Sequence, residues 1–280
     1  MSPLRIAALT LLCVTRGVLP ASAQERPYFV TYDHYLEERG SLEVAVATTT
    51  GIPKHGHSAY TAPWLELEWG VTGWWTAELY LEGVTTRRDG RGFTGWRLEH
   101  RFRPFRDEHR INPVLYVEYE RINEASRIQK EIVGSGPLSV EPIDELRRRS
   151  AHELEAKLIL SSAIRGWNVS ENVTFEKNLS EAEGVEFGYS AGVSRSLATL
   201  ATGSACRFCR ENVVLGLEAY GGLGSTAESG LADTRHFVAP VLAWRVNDRM
   251  SLKVSHGFGL TQASDRYLFR ASLAYEFSTR

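Results

Sequence analysis

Eight histidines, a close pair of cysteines and a large set of glutamates are the residues of this sequence equipped for chemistry. The histidines are His34, His55, His57, His100, His109, His152, His236 and His256. A serine nucleophile and its histidine base share one face of a strand only when they stand two positions apart, because successive side chains alternate between faces. No histidine here has a serine two positions after it, and Ser255 and His256 are adjacent, so they face opposite ways. His55-Gly56-His57 brings two rings within reach of one transition metal. That is an incomplete ligand set, and only two methionines in the chain leave copper without soft ligands. Cys206 and Cys209 form a C-x-x-C pair followed by Arg210. The next residue excludes a haem attachment site, and no second ligand pair lies nearby to complete a zinc site. In an oxidising compartment the pair forms a small local disulfide. No catalytic residue, metal or cofactor is expected, and the reading is not that of an enzyme.

The glutamates follow a pattern. In Leu65-Glu66-Leu67-Glu68-Trp69 large apolar side chains alternate with carboxylates, which on a strand gives one oily and one wet face. Twelve segments fit this alternation: Ser41 to Thr49, Tyr60 to Val71, Trp74 to Thr85, Phe93 to Arg103, Ile111 to Ile122, Ala151 to Ser162, Trp167 to Lys177, Gly184 to Leu197, Asn212 to Leu223, Thr234 to Arg245, Met250 to Leu260 and Arg266 to Phe277. Each has about the length that a tilted strand needs to cross a bilayer. The expected fold is all-β, a single antiparallel up-and-down transmembrane β-barrel of about 12 strands. A lipocalin-like soluble barrel also alternates, but its strands are shorter and its apolar face lies inside.

The organisation is that of an exported protein. Arg5, the apolar run Ile6 to Val14 and Ala21-Ser22-Ala23 make residues 1–23 a signal peptide. Residues 24–40 form a periplasmic N-terminal segment that is either a loose leader or a plug, and residues 41–280 form the barrel. Net charge is −2, which offers nucleic acid no bulk attraction. Tight links at Thr72-Gly73, 104–110, 164–166 and 246–248 alternate with longer ones, placing both chain ends in the periplasm. Trp69, Trp74, Trp75, Trp167 and Trp244 flank the tight links and form an aromatic girdle at the inner headgroup level. Asp33-His34 then precedes the barrel, on the wrong side for a protease-like dyad.

With the apolar face on lipid, the other face lines the lumen. Its charged residues are Glu66, Glu68, Glu78, Glu82, Arg97, Glu99, Arg101, Glu118, Glu120, Glu153, Glu155, Lys157, Glu176 and Arg270. Arg97 and Arg101 lie on the strand between those carrying Glu78 and Glu82 and those carrying Glu118 and Glu120, so cross-strand ion pairs are expected. Acid in excess needs water, cations or protons. A barrel of this size encloses a narrow wet passage, and the expected function is a cation-leaning pore or uptake channel for small solutes, selective through rings of glutamate. The alternatives are a structural or adhesive barrel sealed by Arg/Glu pairs, and a lipid hydrolase. Arg87-Arg88 and Arg147-Arg148-Arg149 lie on the outer side, where lipopolysaccharide phosphates are natural partners. The long outward link from Asn123 to Ser150 either extends the wall or folds inward.

The last segment, Tyr267-Leu268-Phe269-Arg270-Ala271-Ser272-Leu273-Ala274-Tyr275-Glu276-Phe277, carries an aromatic or aliphatic residue at each odd position. There the chain resembles Gram-negative outer-membrane barrels, whose final strand ends in an aromatic read by the assembly machinery; here Ser278, Thr279 and Arg280 follow it. Tyr32, Tyr35, Leu36, Gly40 and Glu43, with the run Trp64 to Thr72, also resemble uncharacterised outer-membrane proteins of the porin or transporter kind. The resemblance implies a fold and a location in the bacterial outer membrane, and no catalytic residue.

Overall fold

A closed cylinder turns one face of every strand outward and the other inward and leaves no unpaired edge. The computed structural model of the chain describes residues 27–55, 58–86, 90–123, 148–197, 212–227, 230–231 and 233–278. It has twelve strands: β1 Ser41–Ile52, β2 Tyr60–Thr72, β3 Trp75–Thr86, β4 Gly90–Phe102, β5 Asn112–Asn123, β6 Ser150–Ile164, β7 Trp167–Asn178, β8 Val185–Ser196, β9 Val213–Ser225, β10 His236–Asn247, β11 Met250–Gly259 and β12 Tyr267–Ser278. Each strand pairs antiparallel with its sequence neighbours, and β1 pairs with β12 from Ser41 opposite Ser278 to Ile52 opposite Tyr267. The barrel is closed, and no edge is left over.

Burial follows the alternation. In β5 the pattern reads buried at Val114, Tyr116, Glu118, Glu120 and Ile122, while Leu115 and Val117 are exposed. Leu81, Leu98, Leu154, Leu158, Val169, Val173, Phe175, Leu215, Leu217, Val254 and Leu273 continue the exposed apolar belt around the outside. The inside is polar, so this barrel is inverted relative to a soluble one.

Two-residue turns join β2 to β3, β6 to β7 and β10 to β11, and the same end of the barrel carries the β4–β5 link. This is called the tight-turn end. At the opposite, long-loop end, β3 and β4 run further than the sequence alternation indicated, leaving only residues 87–89 between them. Cross-strand hydrogen bonding carries both strands past the point where their side-chain pattern fades. Trp69, Trp74, Trp75, Trp167 and Trp244 all stand at the tight-turn end, with Trp69, Trp74 and Trp167 exposed. Trp74 and Trp75 pack on Phe102, at ring distances of 6.2 and 6.1 Å. Residues 1–23, expected to be a signal peptide, Cys206 and Cys209, His57, Arg87, Arg88, Arg147 and most of the link after Asn123 lie outside the described residues.

Candidate functional site: the barrel interior

Among the charged residues assigned to the inner face, Glu66, Glu68, Glu78, Glu82, Glu99, Arg101, Glu118, Glu120, Glu153, Glu155, Glu176 and Arg270 are buried, and Arg97 and Lys157 are half-buried. Register arranges part of this set in a way the sequence did not disclose. Glu276, Glu43, Glu68, Glu78, Glu99, Glu118, Glu155, Glu176 and Glu186 are successive cross-strand partners, one on each strand from β12 through β1 to β8. Barrel strands are tilted, so a line of direct partners climbs as it turns. The carboxylates therefore form one spiral and not level rings: Glu276 stands near the tight-turn end of β12, and Glu186 at the long-loop end of β8. Like charges placed directly opposite each other destabilise a sheet. Nine in succession need compensation.

Part of that compensation comes from cations two positions to either side of the spiral. Arg101 contacts Glu68 and Glu78 and lies 3.0 Å from Glu99. Arg97 joins Glu82, at 2.8 Å, to Glu118, at 3.0 Å. Lys157 lies 2.5 Å from Glu155. Arg97 thus spans β3 to β5, whereas Arg101 reaches β3 and β2. Tyrosine rings shield the same cations, with Arg97 4.2 Å above Tyr80 and Lys157 4.1 Å above Tyr116. Where the spiral is densest, carboxylate oxygens of Glu43, Glu66 and Glu68, and likewise of Glu118, Glu120 and Glu155, come within 4.8 Å of one another. Oxygen clusters of this kind suit hard cations.

The largest feature missing from the strand pattern is the N-terminal segment, residues 27–40, which folds back into the bore. Gly40 N–H donates to the Gly70 carbonyl at 2.7 Å, and Glu37 N–H to Thr76 Oγ1 at 3.2 Å. His34 Nδ1 meets Ser161 Oγ at 2.8 Å. Tyr32 exchanges two hydrogen bonds with the Asn172 side-chain amide and donates its hydroxyl to Glu99 at 2.8 Å. The Glu218 carboxylate accepts from three successive N–H groups, those of Phe29, Val30 and Thr31, at 3.1, 2.8 and 2.8 Å. Tyr28 OH reaches Asn168 Oδ1 and Ser194 Oγ at 3.0 and 3.1 Å. The segment rises from the tight-turn end to mid-height and returns, so it fills the tight-turn half of the lumen. Two wall glycines make room for it: a Cβ on Gly70 would lie 1.9 Å from the Glu38 carbonyl oxygen, and one on Gly192 would lie 2.7 Å from the Tyr28 ring.

Above the segment lies a cavity of about 190 Å³, with Tyr28, Phe29, Val30 and Tyr32 as its floor. Its wall carries five acids, Glu66, Glu82, Glu120, Glu155 and Asp265, and five bases, Arg97, Lys157, Arg235, Lys253 and Arg270. Sequence reasoning singled out most of these charges but had no reason to join them to Phe29 or Val30.

Among the described residues no histidine lines the cavity. Ser255 is buried while His256 stacks on Phe269 at 4.2 Å. Ser161, His34 and Glu108 stand in the order of nucleophile, base and acid, with His34 Nε2 3.5 Å from Glu108. None of the three lines the cavity, and Ser161 is 1 % exposed. Their contact anchors the segment.

No family model and no curated protein sequence matches this chain. Solved structures do. The COG4313 outer membrane channel from Pseudomonas putida F1 superposes with a TM-score of 0.56 at 12% identity, over 89% of this chain and 100% of that one. The two chains share a closed β-barrel fold. The KdgM porin (TM-score 0.49, 7% identity, 85% of this chain and 99% of that one) and the NanC porin (TM-score 0.48, 11% identity, 84% and 98%) are also similar. At these identities the likeness concerns the path of the chain and not the contents of the bore.

Proposed function

We propose that the protein is a narrow, cation-leaning channel of the bacterial outer membrane for small solutes. The observation that carries this reading is the unbroken spiral of carboxylates climbing the interior of a closed barrel with an apolar exterior. Buried acid at that density raises local cation concentration along the bore. The leader 1–23 supplies export, the tight-turn end faces the periplasm, and the tryptophans at that end settle among inner headgroups. The apolar belt contacts lipid, and exposed Arg148 and Arg149 at the long-loop end meet lipopolysaccharide phosphates. Reversal potentials in planar bilayers under a potassium chloride gradient test the reading. Cation preference is expected; zero conductance, or anion preference, overturns it.

A second reading, a sealed barrel, is favoured by the segment in the tight-turn half of the bore. Gly192→Leu unseats Tyr28, and Glu218→Gln removes one of the carboxylate oxygens that hold Phe29, Val30 and Thr31. If the wild type is silent while these variants conduct, the barrel is closed at rest and the segment is its stopper. If wild type and variants conduct alike, solutes pass beside the segment.

A further inference from the structure

Interior cations fall into two groups. Arg97, Arg101 and Lys157 each sit against carboxylates. Lys253 on β11 and Arg270 on β12 do not: among the described residues neither contacts an acid. The recorded contacts are a phenyl ring for Lys253, 5.9 Å from Phe29, and a phenol for Arg270, which donates to Tyr220 OH at 2.7 Å. Both are buried, 7 % and 9 % exposed, and both line the cavity. They face the cavity, where water or an anion supplies the hydrogen bonds that no carboxylate does.

Hydroxyl residues stand across from both cations. Lys253 lies opposite Ser272, and Arg270 opposite Ser255 on one side and Thr49 on the other. The two cations are therefore diagonal neighbours on one face, with Cβ atoms about 7 Å apart, a span that one bridging carboxylate closes. Ser272 stands directly across from Lys253, is buried, and lines the same cavity as the two cations. Two cations and one hydroxyl thus share one stretch of wall, in a cavity larger than the roughly 150 Å³ void that admits benzene. We propose that the Lys253–Arg270 wall of β11 and β12 binds the carboxylate group of a small organic solute.

The inference rests on the channel reading for its purpose, though not for its chemistry. A free carboxylic acid and the carboxylate end of an amino acid share that chemistry. The full-length protein, folded in detergent micelles and low-chloride buffer, is titrated calorimetrically with L-lactate, L-alanine and L-alaninol, which carry a carboxylate, both groups and an amine alone. Lactate or alanine is expected to bind and alaninol not to, and whichever of the first two binds tighter identifies the solute type. Lys253→Gln with Arg270→Gln is expected to weaken carboxylate binding by about tenfold or more. Ser272→Ala removes the cavity-lining hydroxyl opposite Lys253; a loss of severalfold in affinity is expected. Carboxylate binding that is absent in the wild type, unchanged in Ser272→Ala and in the double variant, or matched by alaninol, overturns the site. Liposome swelling with uncharged arabinose runs in parallel: swelling without carboxylate binding keeps the channel and removes the site, and binding without swelling does the reverse.

Discussion

At the scale of single residues, Arg101 concentrates the most interaction in the smallest space. It is 2 % exposed and touches Glu68, Glu78 and Glu99, three consecutive members of the carboxylate spiral, with the Tyr32 ring 5.4 Å away. Removing one partner of a buried ion pair strands the other charge at a cost of about 3–5 kcal/mol. Arg101→Gln strands several, so unfolding in urea from phospholipid vesicles is expected to show a loss at least at the upper end of that range at neutral pH. A variant as stable as wild type would mean that bound cations, and not Arg101, hold the spiral together. Individual inward residues were legible in the sequence, because a period of two separates faces without any knowledge of neighbours. The spiral was not. Whether Glu99 meets Glu118 or Tyr116 depends on the register between strands, which the link lengths and bulges such as those at Gly70/Thr72 and Glu82/Gly83 set together.

At the scale of elements, the strands and the N-terminal segment contrast. The twelve strands announce themselves by alternation, and only their ends needed coordinates. Residues 27–40 have no period, since their backbone is held by side chains of the wall instead of a neighbouring strand. Their anchors, Ser161, Asn168, Asn172, Ser194 and Glu218, are buried polar residues of β6 to β9 that nothing in the sequence sets apart. The faint signal was size: Gly192, Ser194 and Gly216 leave a shallow stretch on β8 and β9, into which Tyr28 fits. The segment also carries a titratable latch. Burial pushes the His34 imidazole below its ordinary value, against Glu108, which raises it, while Arg103 adds to the lowering. Tyr35 stacks on the ring at 4.2 Å and Ser161 faces Nδ1. A histidine lowered on docking binds fewer protons docked than free, so docking is at full strength above about pH 6.5 and weakens as pH falls below it. Conductance is expected to rise between pH 7.5 and 5.5 in the wild type and to change less in His34→Gln; equal pH responses in both would remove the latch.

At the scale of the whole molecule, the apolar exterior and polar interior fix the environment in which the protein is stable. Val173 stands at mid-height on β7, 43 % exposed, in the belt between Val169 and Phe175. An arginine on the lipid face at mid-bilayer costs about 2–4 kcal/mol in such barrels. Val173→Arg is expected to lose that much in vesicles and far less in a soluble-protein setting; indifference in vesicles would place this belt outside hydrocarbon. Closure has another consequence. β1, which completes the wall against β12, begins at Ser41, immediately after the residues that occupy the bore. The final seam therefore zips together the earliest and latest strands of the chain, beside the point where the occupant is tethered. Assembly is a matter of order: residues 27–40 must be gathered in while that seam still gapes, or be threaded afterwards through an end of the finished cylinder. A nascent chain lacking β12 has neither a shut wall nor a chamber to hold its own beginning.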